Sequence, residues 1–188
     1  MRYFVGFIVT IFLIILLIVM LVGGGGGDKK AALPKNGKSF FSYANTDAEV
    51  SVVADSAINY DGTHKQVKIT VSKTAVTYSQ INGYNGQVSK AQSFPNNEAA
   101  YDNFLHALYH TGFTAGDTTK ELQDEKGYCP SGERYIYELK QGGKQLSRFW
   151  ATDCGKPRTY LGSVDATNDL FRAQVPDYDT IDNDYNFF

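Results

Sequence analysis

Residues 135–150, YIYELKQGGKQLSRFW, lie between Cys129 and Cys154, the only two cysteines of the chain. Aromatic and aliphatic residues flank Gly142-Gly143, and two adjacent glycines supply the positive φ that both central positions of a type I′ turn require. The stretch is read as two antiparallel strands joined across that turn. With the glycines at its centre Gln141 opposes Lys144, and Cys129 comes within about two residues of facing Cys154, close enough for a disulfide. Closing that loop of about 26 residues would contribute about 3.5 kcal/mol in the chain-entropy picture. Such a bond belongs to an oxidising compartment. Two reduced, unpaired thiols are the alternative; a zinc site needs more soft ligands than two thiols and three histidines supply.

Upstream of the hairpin, EVSVVADSA (49–57) and QVKITVS (66–72) are rich in β-branched residues and roughly alternating, with Asp61-Gly62 between them as a turn. They are expected to pair antiparallel. Residues 74–80 extend the second strand or form a third, and the segment 83–86 turns the chain toward Val88. In PNNEAAYDNFLHALYHTGF (95–113) Asn96 or Asn97 caps a helix whose apolar stripe is Tyr101, Phe104, Leu105 and Leu108. Gly112-Phe113 fits a Schellman stop. Downstream, SVDATNDLFRAQVP (163–176) offers Ser163 as a cap, Leu170 and Phe171 as anchors and Pro176 as a terminator. Strands, helix, hairpin and helix in that order predict an α+β domain: a small antiparallel sheet packed against two helices, with one disulfide.

The N-terminus has a different character. Tyr3 to Val22 contains no charged residue, and twenty residues at 1.5 Å each span about 30 Å of hydrocarbon, so the segment reads as a transmembrane helix. A secretory signal peptide is the alternative, but the run is long for a signal core and no small-x-small cleavage site follows. Gly23 to Gly27 then stop the helix, at about 1 kcal/mol each relative to Ala. They open a flexible tether whose sixteen or so residues reach about 20–25 Å. The expected organisation is an anchor at 1–22, a Gly-rich linker at 23–45, an α+β domain at 46–176 and an acidic, aromatic tail at 177–188 without fixed structure.

Charge excludes one class of partner. The chain has 18 basic and 20 acidic residues, and only Arg2 falls within residues 1–27, so the remainder carries a net charge of about −3 and no basic face for nucleic acid. Sidedness is contested. Lys29, Lys30, Lys35 and Lys38 on one flank against Arg2 on the other favour a cytoplasmic domain, whereas the cysteines favour the outside. Long domains cross largely regardless of flanking charge, so the expected location is the cell membrane, single-pass, with the C-terminal domain extracytoplasmic.

The spacing N-x-x-A-x-Y-x-x-F-L-x-A-L-x-x-x-G-F, then C-P-x-G-x-R-Y-x-Y-E-L, R-x-W-A-T-x-C-G and L-F-x-x-Q-V-P-D-Y resembles an uncharacterised family of single-span, tethered surface proteins from ultra-small, Saccharibacteria-like bacteria. Matching positions include Asn97, Tyr101, Phe104, Gly112, Cys129, Gly132, Arg134, Trp150, Cys154, Gly155, Phe171 and Pro176. The resemblance covers most of residues 50–178. It implies an anchored surface domain and brings no catalytic residues and no cofactor.

Two function classes follow from the residues. Asp102, His106 and His110 recur at four-residue spacing along one face of the helix read within residues 95–113, which lets two imidazoles share a metal, and a metal-dependent surface enzyme using His106 and His110 is one reading. A solvated polar face is the ordinary explanation, since no His-Glu-x-x-His is present and His64 is the only other histidine. No Gly-x-Ser-x-Gly elbow marks a hydrolase. The better-supported reading is a binding or interaction module for a protein or cell-envelope component. The hairpin carries Arg134, Tyr135, Tyr137, Arg148, Phe149 and Trp150 on both faces of two strands, and only one face can pack on a helix. Their burial as core and rim is the competing explanation.

Overall fold

The computed structural model describes residues 39–59 and 63–182. The expected membrane helix, the linker through residue 38 and the last six residues of the tail lie outside the described residues. Six strands form one antiparallel sheet: β1 (Ala48–Asp55), β2 (Lys65–Ser72), β3 (Ala75–Asn82), β4 (Gln87–Pro95), β5 (Arg134–Gln141) and β6 (Lys144–Thr152), in the order β4-β3-β2-β1-β5-β6. β1 holds the sheet together. It pairs with β2 on one side and with β5 on the other, so the cysteine hairpin docks onto the strand that begins the meander.

Gly142 and Gly143 adopt φ of 56° and 75°, and Gln141 faces Lys144, as the I′ turn predicts. The cysteines are bonded, with 5.8 Å between their Cα atoms. Residues 75–82 form a third strand of their own rather than an extension of the second. β4 was not legible in the sequence, since QVSKAQSFP has little β-branched content and lies at the sheet edge, where packing demands little of it.

Two helices cover one face. α1 (Glu98–Thr111) is capped by Asn97, whose Oδ1 accepts from the Ala100 amide at 3.0 Å. It ends at left-handed Gly112, with the Phe113 amide returning to the Leu108 carbonyl. α2 (Val164–Arg172) is capped by Ser163. The even positions of β1, from Ala48 to Ala54, are buried with Val67, Ile69, Val71, Val76, Tyr78, Tyr137 and Leu139 beneath Tyr101, Phe104, Leu105, Leu108 and Phe171. Full burial of one such side chain stabilises by about 1.5–3 kcal/mol, so this face holds most of the favourable free energy of folding. Tyr101 donates to the Ala48 carbonyl at 3.0 Å, which fixes α1 against β1.

The folded unit is larger than the 46–176 read from sequence. Residues 40–43, assigned there to the linker, form a 3₁₀ turn that buries Phe40 and Tyr43. At the other end a helical turn, α3 (Tyr178–Ile181), docks where mobility was expected. Asp182 is the reason. Its carboxylate accepts from the hydroxyls of Tyr78 at 2.5 Å and Tyr178 at 2.8 Å, while Lys90 donates to the Ile181 carbonyl.

Candidate functional site

The six hairpin residues nominated from sequence divide between the two sheet faces. Tyr135, Tyr137 and Phe149 point to the helical side. Tyr137 donates to Asn168 Oδ1 of α2 at 2.8 Å, and Phe149 packs against the backbone of Gly116 so closely that an added Cβ there would fall within its ring. Burial, reinforced by the neighbouring Tyr160, pushes the Tyr137 hydroxyl well above the usual phenol range. Tyr135 is half-buried and donates to Glu133 at 2.6 Å.

Arg134, Arg148 and Trp150 point to the opposite face, and the long connection from α1 to β5 covers two of them. Trp150 is fully buried; its Nε1 donates to the Leu122 carbonyl at 2.7 Å and its ring stacks on Tyr128 at 5.3 Å between centroids. Arg148 bonds the Gln123 carbonyl and the Glu125 carboxylate. The aromatic hairpin face therefore packs inward on both sides of the sheet.

The third, Arg134, enters an arrangement that sequence reasoning missed. Asp55 closes β1, Arg134 opens β5 and Gln66 lies in β2, and register sets Asp55 directly between the other two on the same face. Arg134 Nη2 lies 2.7 Å from Asp55 Oδ2 and donates to the Ser56 carbonyl at 2.8 Å. Gln66 donates to Asp55 Oδ1 at 2.8 Å, and His64 Nε2 approaches the same oxygen at 2.9 Å. All three ionisable side chains are buried. A buried carboxylate needs this many donors, because an unpaired charge away from water is far costlier than an exposed one.

His64 is held flat by Tyr84, whose ring stacks on it at 4.0 Å and 15°, and the Tyr84 hydroxyl bridges the amide and carbonyl of Asn59. The imidazole presents Nδ1 to the Ser56 hydroxyl and to the Ala57 carbonyl, both at 3.4 Å. Serine, histidine and aspartate are thus connected in series. The Ser56 hydroxyl also accepts from the Lys65 amide at 3.2 Å and donates to the Ala57 carbonyl at 3.4 Å, so it ties the end of β1 to the start of β2.

An adjoining cavity, about 310 Å³, is lined by Asp55, Ile58, His64, Gln66, Tyr84, Arg134 and the loop residues Glu125 to Gly127. The Ile58 amide donates to the Pro130 carbonyl at 2.7 Å, tying its rim to the disulfide loop. Gly132 serves the same loop, since a Cβ there would overlap Cys129 Sγ and Asp153 Oδ1.

The metal candidates sit elsewhere. His106 is half-exposed, 3.9 Å from Asp102 and stacked on Phe41 at 3.9 Å, and His110 is exposed at the last turn of α1. Among the described residues, the one group of three that brings ligand atoms together is Cys129, Asp153 and Cys154, and both sulfurs are committed to the disulfide. Comparison with protein-family models, curated proteins and solved structures found no match to this chain.

The Asp55–His64–Arg134 cluster was missed because its members come from three separated segments, and because the pairing of β1 with β5 has no local signature. The partial signal available was an acid at the end of a predicted strand with a histidine just before the next.

Proposed function

We propose that this chain is a single-span, membrane-anchored protein whose α+β domain lies outside the cytoplasm and binds a ligand, acting as a binding module rather than as an enzyme. The observation that carries this reading is the Cys129–Cys154 bond. It closes the ring of residues 129–154, which carries Arg134 into the cavity wall, and a structural disulfide of this kind belongs to an oxidising compartment. The uncharged run from Tyr3 to Val22 supplies the anchor, and the resemblance to tethered surface proteins points the same way. Among the described residues no helix is long and apolar enough to cross a membrane. The binding site assigned by this reading is the cavity beside Asp55, His64 and Arg134, because the aromatic hairpin face is occupied by the protein's own packing.

The test uses a membrane-impermeant maleimide on intact cells, with and without reductant. Labelling that appears only after reduction supports a closed disulfide outside the membrane. Thiols that react without reductant, and only after lysis, overturn the location and leave the flanking lysines as the better guide to sidedness.

A further inference from the structure

We propose that Asn85, in the turn between β3 and β4, is a site of spontaneous conversion to aspartate and isoaspartate, and that the fold directs this chemistry to Asn85 while shielding Asn82. The reaction is favoured where glycine follows asparagine, since a side chain on the attacking residue hinders ring closure. The chain holds three such pairs: Asn36-Gly37, outside the described residues, Asn82-Gly83 and Asn85-Gly86. Only Tyr84 separates the last two, so one hairpin contains both the reactive pair and its control.

The glycine nitrogen, its proton passing to solvent base, attacks the asparagine side-chain carbon. The N–Cγ bond forms, the Cγ–Nδ2 bond breaks and ammonia leaves. Water then opens the cyclic imide at either carbonyl, giving aspartate or isoaspartate, and no other co-reactant is required.

The two pairs differ in whether that nitrogen is available. The Gly83 amide donates to the His64 carbonyl at 2.9 Å, and Asn82 is held in β3 between Lys65 of β2 and Gln87 of β4. Attack there must first break the hydrogen bond and turn a paired backbone. The Gly86 amide, by contrast, has no acceptor among the described residues, and a Cβ built on Gly86 would meet nothing within 4 Å. Solvent base reaches the nitrogen, and the backbone has room to close the ring. Gly86 also sits at φ 72°, so the turn itself selects the residue that leaves Asn85 reactive.

The Asn85 carbonyl is prepared for attack as well. Its Oδ1 accepts from the Gln87 amide at 3.1 Å, and the ring closed by that bond contains the Gly86 nitrogen, which keeps the side-chain carbon close to its nucleophile. The same N–H stabilises the negative charge that develops on Oδ1 as Cγ becomes tetrahedral. Either product places a new carboxylate beside Tyr84, which stacks on His64 at the cavity wall, and isoaspartate adds a methylene to the backbone there. The modification site itself does not depend on the binding-module reading.

The experiment incubates the full chain, purified in detergent, at mildly alkaline pH where it stays folded. Samples are compared with a zero-time control by tandem mass spectrometry of the tryptic peptide Thr74–Lys90, which carries both asparagines. Fragment ions assign the amide-to-acid mass gain to one residue or the other, and labelling by an isoaspartyl methyltransferase measures the isoaspartate. Asn85 should convert roughly tenfold faster than Asn82 in the folded chain, the value of one backbone hydrogen bond that must break before Gly83 reacts. In urea the two rates should converge. Gly86→Ala should slow Asn85 and leave Asn82 unchanged. Equal rates in the folded chain, faster conversion of Asn82, or conversion of Asn85 only after unfolding overturns the inference.

Discussion

Arg134 at the start of β5 and Asp55 at the end of β1 face each other across neighbouring strands, Nη2 to Oδ2 at 2.7 Å, with both side chains buried. A pair of this kind is weak evidence for net stability, because desolvation offsets much of the attraction, but removing one partner leaves the other charge stranded.

Asp55→Ala should therefore cost about 3–5 kcal/mol, read as a fall in the urea midpoint. Asp55→Asn should cost less, because the amide oxygen still accepts from Arg134, although it gives up the charge that also faces His64. A loss below about 1 kcal/mol for the alanine variant would mean that water reaches the cluster and the charges are not interdependent.

The disulfide predicts a different signature. The double variant Cys129→Ala, Cys154→Ala should lose about 3.5 kcal/mol, the loop-closure value for a ring of this size. Because the Ile58 amide is bonded to the Pro130 carbonyl of the same loop, its hydrogen exchange should accelerate more than that of Val52 at the centre of β1. Equal acceleration at both sites would show that the bond acts on global stability alone, without a local hold on the cavity rim.

These two sites mark where the sequence could be read and where it could not. The I′ turn at Gly142-Gly143, the disulfide, the Asn97 cap and the Gly112 stop are local, and each needs only neighbouring residues and backbone geometry. The fate of Trp150 was not local. Its burial depends on residues 120–128 folding over the second face of the hairpin, in a segment with no periodic pattern. The same holds for α3, where an acidic stretch that composition assigns to solvent is held by Asp182, which accepts from the hydroxyl of distant Tyr78 as well as from that of Tyr178 within the turn. Polar side chains recruited into tertiary hydrogen bonds are the recurrent reason that composition misled.

Buried tyrosines give a pH prediction. Tyr137 is pushed upward by burial and then by Tyr160, Tyr101 by burial and then by Glu49, and Tyr178 by burial and then by Asp182. In each case the folded state holds a proton that the unfolded chain, with its ordinary value of 10.0, releases. Their stabilisation is fully present below pH 10 and is lost as the pH rises above it, at up to about 1.4 kcal/mol per pH unit for each tyrosine. Tyrosinate absorbance from these residues should therefore appear in the same transition as loss of circular dichroism, and Tyr137→Phe should flatten the slope of stability against pH. Ionisation of all tyrosines well before unfolding would contradict the burial.

The last prediction concerns the hairpin aromatics, whose burial moved the proposed site away from them. Trp150 is fully buried beneath Leu122 and Tyr128, so Trp150→Ala opens a large cavity and should cost about 3–5 kcal/mol. Trp150→Phe keeps much of the volume but leaves the Leu122 carbonyl without its indole donor, at about 1–3 kcal/mol. Hydrogen exchange should then report the loosening of residues 120–128 while β5 and β6 stay protected. If Trp150→Ala kept its unfolding midpoint, the loop would not be packed on the hairpin, and Arg148 and Trp150 would return as an open surface for a partner. If the predicted loss is found, the aromatic content of the hairpin is accounted for by the fold, and recognition falls to the Arg134 cavity.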